Sequence, residues 1–319
     1  MIVEDLHGLA TNALKMIARN GQMKQYIKNT DPLYSVLLGA AQRFVAGETR
    51  EAAVSQALDL HTKGYSVSIE CIGENFSTER KCIEAKDEFI QLIQTSGKAG
   101  LDTTVSLDLS HIGLTVSEEL AYQHLIELAR EAAHFGINIM IGAEESSKTN
   151  MIHAIYKRVH ERYTNVGITI QAYLHRTELD LAELKHYGGR IRMVKGAYQE
   201  PEEQALPRSE QLREKYIQMM GFLISEGRSI SIATHDELVI EELRQRRYLK
   251  QSNVELEMLY GIRPELAIKN KNDGYRTRVY VTYGTEWHLY FFHRLAEYPP
   301  NVYQALADMV TPSAKAELY

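Results

Sequence analysis

Cysteine is scarce in this sequence of 319 residues, which contains only Cys71 and Cys82. Neither lies in a spacing typical of a metal site, and two cysteines do not make a disulfide framework. So low a cysteine content is typical of a protein from a reducing compartment. We therefore expect both residues to be packed thiols.

The sequence also lacks the features of secreted, membrane-spanning and nucleic-acid-binding proteins. Residues 1–5 have neither the basic region nor the apolar stretch of a signal peptide, and no run of about 18 apolar residues occurs. The net charge of −6 and the pI near 6.1 do not provide the basic surface that binds nucleic acid. We expect a cytoplasmic protein without a nucleic-acid partner. Peripheral association with the inner face of a membrane and a homo-oligomeric state both stay open.

Histidine is more frequent than cysteine, but the histidines do not have the spacing of metal ligands. His153, His160, His175 and His186 lie on different predicted elements and form no H-x-x-x-H-type motif. We expect no metal site.

The sequence does contain a regular alternation of β-rich and helical segments. Residues 1–60 have apolar residues at helical spacing and predict an N-terminal helical segment. In the remaining part, 61–319, strand candidates alternate with helices. The predicted strands lie at 65–70, 104–109, 137–141, 166–174, 191–195, 229–233, 254–258 and 278–282.

This alternation predicts the fold class, because strands separated by helices pair in parallel through β-α-β units. Eight such units predict an α/β protein with a (β/α)8 TIM-type barrel and an N-terminal helical extension. A doubly wound open sheet is the alternative. However, no predicted strand is followed by the Gly-x-Gly-x-x-Gly turn typical of dinucleotide-binding sheets.

Polar side chains lie at the predicted carboxyl ends of the strands, where the loops of such barrels form active sites. The stretch 190–198, RIRMVKGAY, is an apolar strand that continues into a cationic turn. Because an unpaired buried cation is costly, Arg192 and Lys195 predict a site for an anionic or electron-accepting ligand. Solvated strand ends are the structural alternative for this stretch.

One polar group at a strand end is more often structural than functional, but here nearly every strand end has one. On the last predicted helix, Tyr290, His293 and Arg294 have the spacing that places them on one face. The groups at the strand ends are Glu70, Asp108, Glu144, Gln171 with Tyr173, Arg192 with Lys195, Thr234 with His235, Glu257 and Tyr280.

A series of short motifs resembles the proline dehydrogenase family, whose members are flavoenzymes on a distorted (β/α)8 barrel. The most specific are VKGAY at 194–198 and YVTYGTEWHLYFFHRLAEYPPN at 280–301. The others, in family order, are GE at 73–74, SHIGL at 110–114, QAYL at 171–174, ATH at 233–235 and MLYG at 258–261. The resemblance covers roughly residues 65–301.

The resemblance implies FAD as the cofactor and identifies the positions that bind it. Arg192 matches the arginine next to flavin N5, where a fixed cation stabilises the negative charge that arrives with a hydride, so Arg192 is the expected catalytic residue. Gln171 matches the glutamine that hydrogen-bonds the flavin ring. The expected FAD-binding residues are Ala143, Gln171, Arg192, Lys195, Gly196, Ala197, Thr234 and His235.

The substrate side departs from the family pattern. In the family, a lysine on strand two and paired arginines on helix eight hold the proline carboxylate. Here Asp108 stands at the lysine position and His293 at the first arginine, while Arg294 matches the second. Gly142 replaces an aspartate that ends strand three, and Glu257 replaces a glutamine on strand seven. The expected substrate-binding residues are Asp108, Glu257, Leu259, Tyr280, Tyr290, His293 and Arg294.

These replacements predict weak binding of free proline. Loss of a charge-assisted contact to a buried carboxylate costs about 2–5 kcal/mol. That corresponds to a roughly thirtyfold to several-thousand-fold loss of affinity, and an aspartate adds repulsion.

Three explanations compete. The substrate is a different cyclic or secondary amine, or it is proline anchored by Arg294 alone, or the barrel has no dehydrogenase activity and serves in ligand binding or regulation. The intact cofactor-side motifs speak against the last explanation. For the first two, the expected reaction is hydride transfer from the carbon next to a neutral amine to flavin N5. A quinone or another electron acceptor would then reoxidise the flavin.

Overall fold

The strands predicted from the sequence form a closed barrel of eight parallel strands in the computed structural model, which describes residues 2–298, 300–310 and 318–319. β1 pairs with β8 from Ser66 opposite Arg278 to Cys71 opposite Tyr283, and this pairing closes the sheet. The predicted (β/α)8 barrel is therefore confirmed, and an open sheet is excluded. The strands are β1 Ser66–Cys71, β2 Thr103–Leu107, β3 Asn138–Ile141, β4 Val166–Gln171, β5 Ile191–Val194, β6 Ile230–Ala233, β7 Val254–Leu259 and β8 Thr277–Tyr283.

Helices surround the barrel and precede it. Four helices lie before β1, at Ile2–Arg19 (α1), Gly21–Lys28 (α2), Asp31–Ala41 (α3) and Arg50–Thr62 (α4). The helices that follow the strands are α5 Glu79–Lys98, α6 Glu118–His134, α7 Thr149–His160, α8 Thr177–Leu184, α9 Glu210–Ser225, α10 Glu237–Gln245, α11 Pro264–Asn272 and α12 Trp287–Glu297. A further helix, α13, spans Pro300–Val310.

The outward faces of the strands are apolar. On β1 the residues Val67 and Ile69 are fully buried, and so are Val279 and Val281 on β8. Because side chains alternate between the two faces of a strand, these residues pack against the helices while their neighbours point into the barrel. They belong to one continuous core shared by the barrel and its helices.

The interior of the barrel is polar, although such barrels are more commonly filled with branched apolar side chains. Glu255 on β7 accepts hydrogen bonds from Ser231 Oγ at 2.6 Å and Arg278 Nε at 2.7 Å, and it also pairs with Arg190. Burial alone would raise the pKa of Glu255, but the Arg278 and Arg190 guanidinium groups hold it below its ordinary value. Glu255 and its partners lie nearer the amino ends of the strands than Glu257, which pairs with Arg192.

The N-terminal and C-terminal helices share a second core. Phe44, which follows α3, packs with Trp287 and Phe291 of α12 in this core. Arg43 and Asp308 form a buried ion pair, with Arg43 Nη2 2.9 Å from Asp308 Oδ1, and it connects the end of α3 to α13. Sequence reasoning did not predict α13.

Three strands end earlier than predicted, β5 by one residue and β2 and β4 by more. β2 stops at Leu107 because the chain turns after Asp108, whose carbonyl accepts the His111 N–H at 3.1 Å. β4 stops at Gln171, and Leu174 pairs instead with Ala205 in an isolated antiparallel bridge. The predicted division at residue 60 lies inside α4, which packs on β1 and β8.

Both cysteines are free thiols, as predicted, and burial raises the pKa of Cys71 to about 12. Within the described part of the chain, no helix has the length and apolar composition needed to cross a membrane. The same part contains no group of three or more His, Cys, Asp or Glu residues that could hold a metal ion.

Candidate active site

Arg192 points from β5 into the barrel, where it meets side chains from four other strands. Its Nε donates to Thr169 Oγ1 at 2.9 Å, and its Nη1 donates to Ser106 Oγ at 3.1 Å and lies 3.4 Å from Glu257 Oε1. The guanidinium lies 5.0 Å from the centroid of the Tyr280 ring. Since Arg192 is only 6% exposed, a fixed cation stands inside the barrel with Glu257 as its ion-pair partner.

Carboxylates crowd the rim of the barrel next to Arg192. Glu70 on β1 accepts a hydrogen bond from the Tyr280 hydroxyl. Glu144 lies three residues after the end of β3. It accepts hydrogen bonds from the Ser110 N–H at 2.9 Å and from Lys148 Nζ at 2.7 Å. Burial raises the pKa of the Glu70 carboxyl above its ordinary value, although Tyr280 and nearby cations oppose the shift.

Asp108, at the end of β2, is held directly over the backbone of Gly142. A Cβ atom at Gly142 would lie 1.9 Å from Asp108 Oδ1, closer than any real contact. None of the described residues donates a hydrogen bond to the Asp108 carboxylate. Burial, followed by the charges of Glu70 and Glu144, raises the pKa of Asp108 well above its ordinary value.

The residues predicted to bind the cofactor lie at the carboxyl ends of β3 to β6. Gln171 Nε2 donates to the Glu144 carbonyl at 2.9 Å, and the Ala143 carbonyl accepts from the Tyr198 hydroxyl at 3.1 Å. Thr234 is buried, and its Oγ1 accepts the Asp236 N–H at 3.1 Å. These contacts fix the side chains along one wall of the barrel mouth.

Lys195 and His235 are held by neighbouring groups on the same wall. Lys195 pairs with the carboxylate of Asp236. His235 Nε2 accepts the Leu259 N–H at 3.0 Å. Burial, followed by the Arg294 and Arg263 charges, lowers the pKa of His235 to about 3, so its ring is neutral and its Nδ1 bears the proton.

The turn after β5 depends on Gly196. Its φ of +117° lies in a region that L side chains rarely adopt, and a Cβ there would lie 2.3 Å from the Tyr173 ring. The Gly196 carbonyl accepts from Arg208 Nη2 at 2.5 Å, while Ala197 is exposed. The hydroxyl of Tyr173 is buried without a hydrogen-bond partner.

Tyr290, His293 and Arg294 lie together on α12, as their spacing predicted. Arg294 stacks over the Tyr290 ring with its guanidinium carbon 4.8 Å from the centroid, and its Nη2 lies 2.6 Å from Glu297 Oε1. Burial, followed by the Arg294 charge, lowers the pKa of His293 to about 4, so the ring is neutral.

The same α12 residues leave three buried polar atoms without a partner: Tyr290 OH, His293 Nε2 and Arg294 Nε. Buried polar groups in native proteins are nearly always hydrogen-bonded. Three such atoms on one helix could therefore accept contacts from a polar ligand.

The structure brings the predicted site residues together at one end of the barrel, and it adds others to which sequence reasoning assigned no role. Tyr198 extends from the turn after β5 to the Ala143 carbonyl. Its position in the VKGAY motif could have indicated that it belongs to the site. Lys148 follows Glu144 at i+4, and Asp236 is adjacent to His235, but nothing in the sequence indicated that these residues would pair with Glu144 and Lys195. The interior partners Ser106 and Thr169 also escaped prediction.

Comparison with known proteins finds similarity to proline dehydrogenases. The family model described as proline dehydrogenase matches residues 53–298. Proline dehydrogenase 1 of Bacillus subtilis subsp. natto is 35% identical over 271 residues, which are 84% of this chain and 89% of that protein. The proline dehydrogenase of Deinococcus radiodurans is 30% identical over 301 residues, which are 92% of this chain and 95% of that protein.

Solved structures show the same fold at lower identity. The crystal structure of proline utilization A from Bdellovibrio bacteriovorus, inactivated by N-propargylglycine, matches with a TM-score of 0.79 and 17% identity. The match covers 89% of this chain but only 36% of that longer chain.

Proposed function

Because the chain belongs to the proline dehydrogenase family, we propose that it is an FAD-dependent oxidoreductase that acts on a CH–NH donor and oxidises proline. The observation that carries this proposal is the buried Arg192 cation, which lies in the same barrel mouth as the unsatisfied polar atoms of α12. The two relatives compared above are named proline dehydrogenases, and they give no support to an inactive barrel.

The residues at the ends of β3 to β6 fit FAD. Arg192 and Lys195 supply two cations for an anionic cofactor, and the buried Tyr173 hydroxyl lacks a partner. Lys195 is paired with Asp236, but an ammonium has three donors and can bind a second acceptor. Gln171, Thr234 and His235 would complete the contacts. When bound, FAD would supply the hydride-accepting N5 atom.

Arg192 would act by electrostatic preorganisation. Thr169, Ser106 and Glu257 fix its guanidinium before any substrate arrives, so little reorganisation accompanies the reaction. A buried cation stabilises negative charge that develops beside it more strongly than an exposed one does.

The α12 residues would bind the substrate. Arg294, with its unsatisfied Nε, would hold the proline carboxylate, and Tyr280, Tyr290 and Leu259 would enclose the ring. The substrate nitrogen must be neutral, because its lone pair forms the C=N bond as the hydride leaves the adjacent carbon. A quinone or another acceptor would then take up the electrons.

The visible spectrum of the purified protein, recorded under anaerobic conditions before and after excess L-proline, tests the proposal. Loss of a flavin absorption band on addition of proline is the expected result. A flavin band that proline leaves unchanged would refute proline as the substrate while keeping the FAD site. A protein that shows no flavin band even after reconstitution with FAD would refute the proposal.

A further inference from the structure

The chain segment at the end of β7 is hydrogen-bonded both to the predicted site and to a residue far away in the sequence. β7 ends at Leu259, whose N–H donates to His235 Nε2 at 3.0 Å. Two residues further on, the N–H of Gly261 donates to the hydroxyl of Tyr319 at 2.9 Å. Tyr319 therefore contacts the segment that begins with a predicted substrate-binding residue, although sequence reasoning assigned it no role.

The turn after β7 has little conformational freedom. Gly261 has a φ of +73°, which L side chains rarely adopt, and a Cβ atom there would lie 1.8 Å from the carbonyl oxygen of Arg43. The Ile262 N–H donates to the Leu259 carbonyl at 3.1 Å and closes the turn. Because Leu259 and Gly261 belong to one hydrogen-bonded turn, a displacement of the Gly261 backbone would also displace Leu259.

Two other tyrosines hold the Tyr319 ring in place. It stacks on Tyr260 with the ring centroids 5.6 Å apart and the planes at 22°, and it meets Tyr65 edge-on at 5.5 Å. Leu318 and Tyr319 both pack against the core that the barrel shares with its helices. Burial raises the pKa of the Tyr319 hydroxyl, so the group is neutral and accepts the Gly261 N–H through a lone pair.

We propose that Tyr319 is a positioning residue for the active site: its hydroxyl holds the Gly261 N–H and thereby keeps Leu259 against the ring of the substrate. This inference rests on the proposed function, which takes a cyclic amino acid as the substrate and Leu259 as part of its enclosure. The structural alternative is that Tyr319 contributes only the packing of its ring. Replacement by phenylalanine separates the two roles, since it removes the hydroxyl and keeps the ring.

The first experiment measures hydrogen exchange at the Gly261 amide of the purified protein, by mass spectrometry of peptides that cover residues 259–263. In Tyr319→Phe this amide should exchange about two- to tenfold faster, because one intramolecular hydrogen bond is lost. Tyr303→Phe is the matched control, since the Tyr303 side chain is 71% exposed, and its exchange should equal that of the wild type. Equal exchange in Tyr319→Phe and the control would overturn the inference.

The second experiment asks whether this contact acts on the site. Calorimetry measures the affinity for cyclopentanecarboxylate, a ring carboxylate without an amine, in the FAD-loaded wild type, Tyr319→Phe, Leu259→Ala and the double variant. We expect Tyr319→Phe to bind the probe about two- to tenfold more weakly at unchanged FAD content. In the Leu259→Ala background the same substitution should have little further effect, because the side chain that it positions is gone. An equal loss in both backgrounds, or no loss, would overturn the inference.

The outcome is separable from that of the proposed function. Bleaching by L-proline together with equal probe affinity in the wild type and Tyr319→Phe would support the dehydrogenase and refute the role of Tyr319. A loss of probe affinity in Tyr319→Phe that disappears in the Leu259→Ala background would support that role even if proline failed to reduce the flavin. A wild-type protein that does not bind the probe would refute it, since Leu259 would then enclose no such ring.

Discussion

Arg192 and Glu257 form an ion pair inside the barrel, with Nη1 and Oε1 3.4 Å apart and both side chains buried. Ser68 Oγ donates to the same Glu257 oxygen at 2.9 Å. Strong charge-assisted hydrogen bonds are about 2.7–2.9 Å long. The longer pairing compensates the Arg192 charge and leaves it available to a developing negative charge.

Replacing Arg192 by Ala should slow flavin reduction by the substrate about 100-fold to 1000-fold, since a preorganised cation next to the reacting atoms would be lost. Anaerobic stopped-flow absorbance measures this rate. Arg192→Lys keeps the charge but loses the planar set of donors, so its rate of flavin reduction should lie between those of the wild type and Arg192→Ala. Arg246→Ala, at the residue that follows α10, serves as the control because that side chain is 51% exposed. Unchanged reduction kinetics in Arg192→Ala would contradict the assigned role.

Replacing Arg294 by Ala should raise KM for proline about thirtyfold or more, because a charge-assisted contact to a carboxylate costs about 2–5 kcal/mol when it is lost. FAD content should stay near that of the wild type. Steady-state kinetics together with the flavin-to-protein absorbance ratio separate the two effects. A variant with normal KM would place the substrate carboxylate elsewhere.

Replacing Gly196 by Ala should destabilise the turn after β5 and lower FAD content. The backbone conformation costs about 1–3 kcal/mol for a residue with a side chain, and the added methyl would collide with Tyr173. Thermal unfolding and bound-flavin absorbance give the two readouts. Gly8→Ala on α1 is the matched control, since no atom lies within 4 Å of its added methyl. Equal FAD content and Tm in Gly196→Ala and the control would show that this turn tolerates a side chain.

The stability of the folded protein should decrease as pH falls from about 6.5 to about 4. Burial lowers the pKa of His111 to about 4, whereas an unfolded histidine binds a proton below about pH 6.5. Between these values the unfolded state holds more protons, so each such histidine removes up to about 1.4 kcal/mol of stability per pH unit. Denaturant unfolding at several pH values measures the slope.

His111→Leu should make that slope shallower by about one proton, because the buried ring packs edge-on against Phe76 and Phe89 and makes no hydrogen bond through Nδ1. His61→Gln, at an exposed position, is the control. An unchanged slope in His111→Leu would show that His111 does not titrate in this window.

The barrel could be predicted because its signal is repeated. Each strand is a short β-rich run separated from the next by a helical pattern, and that rhythm extends from β1 to β8. The site could be located for the same reason, since parallel strands place Gln171, Arg192 and Thr234 at one end of the barrel. The resemblance to the proline dehydrogenase family then predicted a role for each of these residues.

What the sequence did not predict are contacts between residues far apart in the chain. Nothing local relates Asp108 to Gly142, or Arg43 to Asp308, because each pair is brought together only by the closed fold. The polar interior was missed for the same reason. Only the structure shows that Ser106 and Thr169 accept hydrogen bonds from Arg192, and that Ser68 donates to its partner Glu257.

The close contact between Asp108 and Gly142 also couples mutations at these two positions. A Cβ atom at position 142 would lie 1.9 Å from Asp108 Oδ1, so a side chain there requires the Asp108 carboxylate to turn away. A smaller residue at position 108 would remove that contact. The effects of mutations at positions 108 and 142 should therefore not be additive.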